Sequence, residues 1–259
     1  MIEMLPPHRQ QHILDRIEKH GQVRVAALSA ELGVSEMTVR RDLNALAARG
    51  AVVKVHGGAT REQAATSVEP GFVKKLTLES AEKDRIAEAA AGLIHEGMSV
   101  ALTSGTTTYA LARHCTRIAD LTIVTNSPRI AEVFYAAENT TQTVILTGGV
   151  RTPSDALVGP LSVAALRHLH VDACFIGVHG MTAEDGFTTP NMLEAQVNQA
   201  FIASAAQHIV LADHTKWGLT GLCHIAPLSD ADVLVTDAAL PSEAVETLRQ
   251  SIDSVVVAR

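Results

Sequence analysis

Apolar residues recur at helical spacing through the first fifty positions and as short unbroken runs beyond position 99, so two kinds of structure follow one another along the chain. Over residues 8–20, Ile13, Leu14 and Ile17 share one face while Arg9, Gln10, Arg16 and Lys19 lie elsewhere, which predicts an amphipathic helix closed at Gly21. Residues 22–25 alternate polar and apolar and predict a short strand. A second helix is expected over 26–32, a tight turn at Gly33-Val34, and a third helix capped by the Ser35 hydroxyl. In that third helix Val39, Leu43 and Leu46 form the buried stripe. Met37, Arg41 and Asn44 point away from it, with Thr38 and Arg40 on its flanks. Residues 51–56 then predict a strand ending at Gly57-Gly58; paired with 22–25, it would carry Lys54 and His56.

The later apolar runs lie at 100–102, 122–124, 143–146, 173–178, 209–212, 233–235 and 255–257, with helical patterns at 83–95, 128–137, 193–206 and 242–250 between them. Continuous apolar runs suit parallel strands buried on both faces, and their alternation with helices predicts a doubly wound, mostly parallel α/β domain. Residues 60–80 are polar, contain Pro70-Gly71 and show no sustained period. The expected organisation is therefore 1–60, a linker over 61–79, and 80–259. Lys74 and Lys75 in the linker read as solvated charge, with contact to DNA or to the next domain as the alternative.

Composition narrows the classes. With 47% apolar and 19% charged residues the chain can pack a core, and 3% aromatics leave no stacking platform for single-stranded nucleic acid. Three cysteines, far apart and without a CxxC, fit a reducing cytoplasm and argue against a disulfide framework or zinc finger. No apolar run approaches 18 residues and the start does not resemble a signal peptide, so neither a membrane partner nor export is expected. The net charge of −7 hides an asymmetry: residues 1–61 carry nine basic against six acidic groups, +3, and residues 62–259 carry twelve against twenty-two, −10. A small basic module on an acidic globular domain is the reading.

Two constellations carry chemistry. A short helix, a glycine-containing turn and a helix with paired arginines make a helix-turn-helix signature, whose second helix enters the DNA major groove. Arg suits that role because its planar fork donates to guanine O6 and N7. Ser35, Met37, Thr38, Arg40, Arg41, Asn44, Lys54 and His56 are the expected DNA contacts; the bland alternative is a three-helix cap with surface arginines. In the second half, the strands run into small polar clusters. These are Thr103-Ser104-Gly105-Thr106-Thr107-Thr108, Asn126-Ser127, Gly148-Gly149, His179-Gly180, and the segment from Asp213 to Lys216. Ends of parallel strands share one rim, where ligands bind. Five hydroxyls around Gly105, at the opening of a helix, suit a phosphate, with Lys216 as countercharge. Ordinary turn and cap duty is the competing explanation. No GxxxxGK[ST] or GxGxxG occurs, and no cofactor is expected.

The run Val34-Ser35-Glu36-Met37-Thr38-Val39-Arg40-Arg41-Asp42-Leu43, with Val55-His56-Gly57-Gly58-Ala59, resembles the winged helix-turn-helix of the DeoR family of bacterial transcription regulators. The second half is similar to the sensor domain of that family in Ser-Gly-Thr-Thr-Thr (104–108), Val-Thr-Asn-Ser (124–127), Leu-Thr-Gly-Gly (146–149) and Ala-Asp-His-Thr-Lys-Trp-Gly (212–218). The resemblance implies a fold like ribose-5-phosphate isomerase and CoA-transferase domains. It also implies a repressor of carbohydrate-utilisation genes that binds duplex operator DNA as a homodimer or homotetramer and is released by a phosphorylated sugar. Lys54 stands where the family usually has Arg, Thr103 where it commonly has Asp, and Asn198-Gln199 where it has a basic pair.

Other readings stay beside this one. A sugar-phosphate isomerase with an accessory DNA module would need a poised carboxylate, for which Asp172, Glu194 and Asp213 are the candidates. The twelve histidines, including His168, His170, His208 and His214, read as surface or hydrogen-bonded groups and not as metal ligands. Trp217 fills core space or stacks on a sugar ring.

Overall fold

The computed structural model describes residues 5–20, 22–49, 51–55, 57–60 and 71–259, and separates the chain into two units, Met1–Ala65 and Thr66–Arg259. In the first unit, α1 (Pro6–His20), β1 (Gln22–Arg24), α2 (Val25–Leu32) and α3 (Glu36–Ala48) precede β2 (Val53–Val55) and β3 (Gly58–Thr60). The expected stripe of α3, Val39, Leu43 and Leu46, is buried against Ile13 and Ile17 of α1 and Leu28 of α2. Each such side chain contributes about 1.5–3 kcal/mol on leaving water. Gly33 ends α2 with a left-handed φ of 64°, and Ser35 Oγ accepts the Thr38 N–H at 3.2 Å to cap α3. Below α3, the buried Asp42 carboxylate receives Arg9 Nε at 2.5 Å and Gln10 Nε2 at 3.2 Å, locking α1 to α3.

The wing is paired differently from the sequence expectation. Its sheet order is β1-β3-β2, so the 22–25 segment pairs with β3, and the strand within 51–56 forms the outer edge. Gly58 is the reason. A Cβ there would stand 2.0 Å from the Val23 carbonyl oxygen, so only glycine lets β3 press onto β1. Gly57 supplies the turn before it, with φ 79°. The two glycines thus open the central strand of the wing.

The second unit begins with α4 (Phe72–Thr77), within the expected linker, and α5 (Ser80–Ala91). There follow β4 (Ser99–Leu102), α6 (Thr106–Cys115), β5 (Thr122–Thr125), α7 (Pro128–Ala136) and β6 (Thr143–Leu146). A hairpin of β7 (Val150–Arg151) and β8 (Leu157–Val158) leads to α8 (Pro160–Leu166) and β9 (Val171–Gly177). Then come β10 (Gly180–Thr182), β11 (Gly186–Thr189), α9 (Met192–Ala203), β12 (Ala205–Leu211), β13 (Cys223–Ala226), β14 (Val233–Asp237), α10 (Ser242–Arg249) and β15 (Ser254–Ala258).

All seven predicted runs join one parallel sheet, ordered β15-β14-β12-β9-β4-β5-β6. Alternate side chains divide between two cores. Val100, Leu102, Phe175, Leu211 and Val235 pack with residues of α5, α6 and α7, whereas Ala101, Cys174, Ile176, Val210 and Leu234 pack with those of α8, α9 and α10. Helices on both faces make the unit doubly wound. A smaller antiparallel sheet, β10-β11-β13, is not legible as strands because its members are only three or four residues long and two of them open on a glycine, Gly180 and Gly186. From β4 the chain steps outward to β5 and β6, then returns to β9 on the other side, so the topology reverses between β4 and β9. Ligands in open α/β sheets bind in the crevice at the carboxyl ends of such a pair.

Candidate functional site

The outer face of α3 is the first candidate. Met37 is 69% exposed, Arg41 and Asn44 are exposed, and among the described residues Arg41 makes no ion pair. Arg40, also exposed, reaches Glu36 at 3.3 Å along the helix. Thr38 is half-buried beside Ser35, which is occupied as the cap. The helix therefore presents three exposed side chains at i, i+4 and i+7 along one face. Lys54 lies in β2, but its side chain falls outside what the structure describes, as do His56 and the Lys74 side chain.

The second candidate is the carboxyl rim between β4 and β9. Gly105 precedes α6, where a Cβ would stand 3.9 Å from Gly177 Cα, so the loops after the two strands run close together. The Ser104 N–H donates to Asn126 Oδ1 at 2.8 Å, and Asn126 Nδ2 donates to the Leu157 carbonyl at 3.1 Å. Beyond Ser104, the N–H groups of residues 105–108 lie ahead of the first helical acceptor, Gly105 O, which takes the Tyr109 N–H. These four donors, with the Thr106 and Thr107 side chains beside them, form a short positive end without a carboxylate cap.

Several neighbours are engaged in holding this shape. Thr103 is fully buried, and its hydroxyl accepts the Gly177 N–H at 3.1 Å, stitching the crevice. Thr125 Oγ1 bridges the Leu102 carbonyl and the Ser127 N–H, and Ser127 Oγ caps α7. Gly149, with φ 123°, leaves no room for a Cβ, which would meet the Val158 carbonyl at 2.5 Å; Gly148 has open space. Gly180 is similarly pressed against Leu219, while His179 is half-buried with its N–H on the Thr188 carbonyl.

Across the crevice, the 3₁₀ turn His214–Lys216 follows β12. Asp213 is fully buried; its Oδ1 accepts the N–H and hydroxyl of Thr215, while Oδ2 has no hydrogen bond and faces Lys216 Nζ at 3.8 Å. His214 donates its N–H to Asp237 Oδ2 at 2.7 Å and sets its ring Nδ1 3.0 Å from Oδ1. Burial alone would push the Asp237 carboxyl up, but the N–H groups of His214 and Ala239 and the His214 ring outweigh it and hold it below the usual carboxylate range. Trp217 packs half-buried on the core.

The three carboxylates weighed for catalysis do not converge. Asp172 sits at the amino ends of β9 and β4, bound to Ser99, at the opposite edge from the rim. Glu194 Oε1 receives the hydroxyls of Thr152 and Ser154, and Asp213 lies just beyond the carboxyl end of β12. Gln199 turns to the carbonyls of β13, and His208 is held by the carbonyls of Asp230 and Ile202. Among the described residues, no group of three or more His, Cys, Asp or Glu could hold a metal ion, and no helix is long and apolar enough to cross a membrane.

One rim residue escaped the sequence reading. Lys83 is buried in the first turn of α5, and its signal was a lysine in line with the apolar Ile86, Ala87 and Ala90.

Residues 78–238 match the family model described as the DeoR C terminal sensor domain, and residues 9–64 match the DeoR-like helix-turn-helix domain. The chain is 35% identical over 257 residues to the HTH-type transcriptional regulator YgbI of Escherichia coli (strain K12), covering 99% of each. It is 34% identical to the HTH-type transcriptional repressor GlcR of Bacillus subtilis (strain 168) over 90% of this chain and 88% of that one. Among solved structures, a ribose 5-phosphate isomerase from Methanocaldococcus jannaschii aligns with 54% of this chain and 55% of its own, at 16% identity and a TM-score of 0.40, a likeness too loose to carry an argument.

Proposed function

The chain belongs to the DeoR family of DNA-binding transcription regulators, and from that premise we propose a repressor of carbohydrate-utilisation genes that a phosphorylated sugar releases from its operator. In this reading, Met37, Arg41 and Asn44 reach base edges from α3, with Thr38 and Arg40 beside them and Lys54 and His56 of the wing on the sugar-phosphate backbone. The working form is a homodimer or homotetramer in the cytoplasm, because two-fold pairs match palindromic half-sites.

The effector's phosphate lies on the N–H groups of residues 105–108, with Lys216 as its countercharge and Asn126, His179 and Asp213 toward the sugar. The observation that carries this is the start of α6, whose first N–H groups have no backbone acceptor among the described residues, at the point where the sheet topology reverses. Thr103, Ser127, Gly149 and Gly180 act in it as positioning residues, each being held by the fold. Catalysis has no part in the reading: Asp172 lies at the amino ends of β9 and β4, Glu194 is taken up by the hydroxyls of Thr152 and Ser154, and Asp237 by the N–H and ring of His214. A ligand that prefers the released arrangement shifts the equilibrium by its differential affinity alone.

A thermal-shift panel of sugar phosphates tests the effector class, because a ligand bound only by the folded state raises apparent stability by mass action. The expected result is a rise in the sensor transition for one or a few phosphorylated sugars and none for their dephosphorylated forms. Equal response to both forms would remove phosphate from the recognised group.

A further inference from the structure

Helix α5 carries a lysine where its pattern calls for an apolar residue. Burying an ammonium is costly unless acceptors come with it. Lys83 Nζ finds two in main-chain carbonyls, that of Lys75 at 2.8 Å and that of Leu78. Both belong to the end of α4 and the residue after it, where a helix leaves carbonyls without partners. Lys83 therefore ties down residues 75–78, whose other side is poorly anchored: Val73 is 70% exposed, and Leu76 and Leu78 are also exposed. Phe72 also holds α4, through its N–H on the Pro153 carbonyl at 3.3 Å and its ring against Tyr109 and Arg129. A segment with so few apolar contacts opens at low cost.

The same ammonium stands at the rim. Helix α5 runs from the carboxyl edge of the sheet down toward the start of β4, so its first turn lies beside the ends of β12 and β14. Burial lowers the proton affinity of Lys83, the charge of Asp213 works against that lowering, and Lys216 adds to it, so the three charges share one neighbourhood. Within it, Asp213 Oδ2 lacks a hydrogen bond and has Lys216 only at 3.8 Å. A buried carboxylate oxygen left this way gains from any stronger donor that can reach it.

We propose that Lys83 is the positioning residue that couples occupancy of the rim to residues 71–79, the segment by which the sensor unit continues from the preceding chain. This rests on the reading that an anion is held by residues 105–108 and Lys216. An anion that engages Lys216 draws it from Asp213; Lys83 then turns to Asp213 Oδ2 and gives up the carbonyls of Lys75 and Leu78. Residues 75–79 loosen as the rim fills. The coupling uses no motion of the sheet, only the choice of one ammonium between two sets of acceptors.

Hydrogen exchange on the full chain, with and without inorganic phosphate, tests this. In the wild type, phosphate should slow the amides of 105–108 and speed those of 75–79 at least tenfold. Lys83→Met should speed 75–79 by a similar factor without phosphate and abolish any further response, while Lys83→Arg, which keeps charge and donors, should restore the response. Unchanged exchange at 75–79 in Lys83→Met would overturn the anchor. Phosphate that protects 105–108 and speeds 75–79 equally in wild type and Lys83→Met, or speeds them in neither, would overturn the coupling. Failure of phosphate to protect 105–108 in the wild type is a separate signature: it sinks the anion site itself, and the coupling with it. Should Lys83→Met not fold, Lys83→Arg and Asp213→Asn carry the test, since Asp213→Asn removes the alternative acceptor and must leave 75–79 unresponsive to phosphate.

Discussion

The outer face of α3 and the carboxyl rim of the sensor sheet are both rich in polar side chains, yet they use them in opposite ways. On α3, Met37, Arg41 and Asn44 stand exposed, and the structural work is done underneath by Asp42, Arg9 and the Val39–Leu43–Leu46 stripe. At the rim, Thr103, Thr125, Ser127 and Asn126 are buried and already bonded, and what they leave open is backbone: the N–H groups of residues 105–108. A surface that reads a long, charged duplex needs side chains that reach outward. A crevice proposed to grip one small anion needs fixed donors, and fixed donors need their neighbours committed to holding them.

The strongest perturbation separates the support of α3 from its exposed face. Asp42→Ala leaves the Arg9 guanidinium buried without its carboxylate and should cost the first unit about 3–5 kcal/mol. The single tryptophan, Trp217, reports only the sensor unit, so the loss should appear in a circular-dichroism melt and be missing from tryptophan fluorescence. A shift in both would mean the two units do not unfold independently.

Arg41→Ala should do the reverse, costing about 1–3 kcal/mol of specific operator affinity and relaxing preference at one base pair, with no change in either melt. Operator affinity equal to wild type would take Arg41 out of the groove. At the rim, Thr103→Val removes the acceptor for the half-buried Gly177 N–H and should lower sensor stability by about 1–3 kcal/mol. A Thr103→Val protein as stable as wild type but blind to effector would instead make Thr103 a direct contact.

The smallest effect is a slope with pH. The Asp237 carboxyl is held below its unfolded value, so its contribution to sensor stability is present above the ordinary carboxylate range and is lost as pH falls through the folded value. Asp237→Asn should flatten the acid limb of sensor stability; an unaltered limb would assign it to other carboxyls, such as Asp155 or Asp172, which are also held low.

How much of this was legible in the sequence follows from the same contrast. The helices of the first unit, the cap at Ser35 and all seven strands of the parallel sheet were readable, because each rests on a local period or on an unbroken apolar run. The wing pairing was not, since it turns on a non-local fit: Gly58 against the Val23 carbonyl. The rim was legible as a place but not as a division of labour. Ser, Thr and Gly at strand ends announce turns and ligand sites alike, and only partners distant in sequence, such as Gly177 for Thr103 or Leu157 for Asn126, separate the two. Lys83 escaped for a related reason: a lysine at a helix start reads as solvated until its acceptors, the carbonyls of residues 75 and 78, are placed beside it.

That the rim controls the hold on DNA is a claim that fluorescence anisotropy with an operator duplex selected from genomic DNA can decide. Wild type and Lys216→Ala are titrated onto that duplex with and without the sugar phosphate that stabilises the wild type most. Lys216→Ala should bind DNA with wild-type affinity and stay bound at effector concentrations that release the wild type. Release of Lys216→Ala at the wild-type effector concentration would contradict the claim.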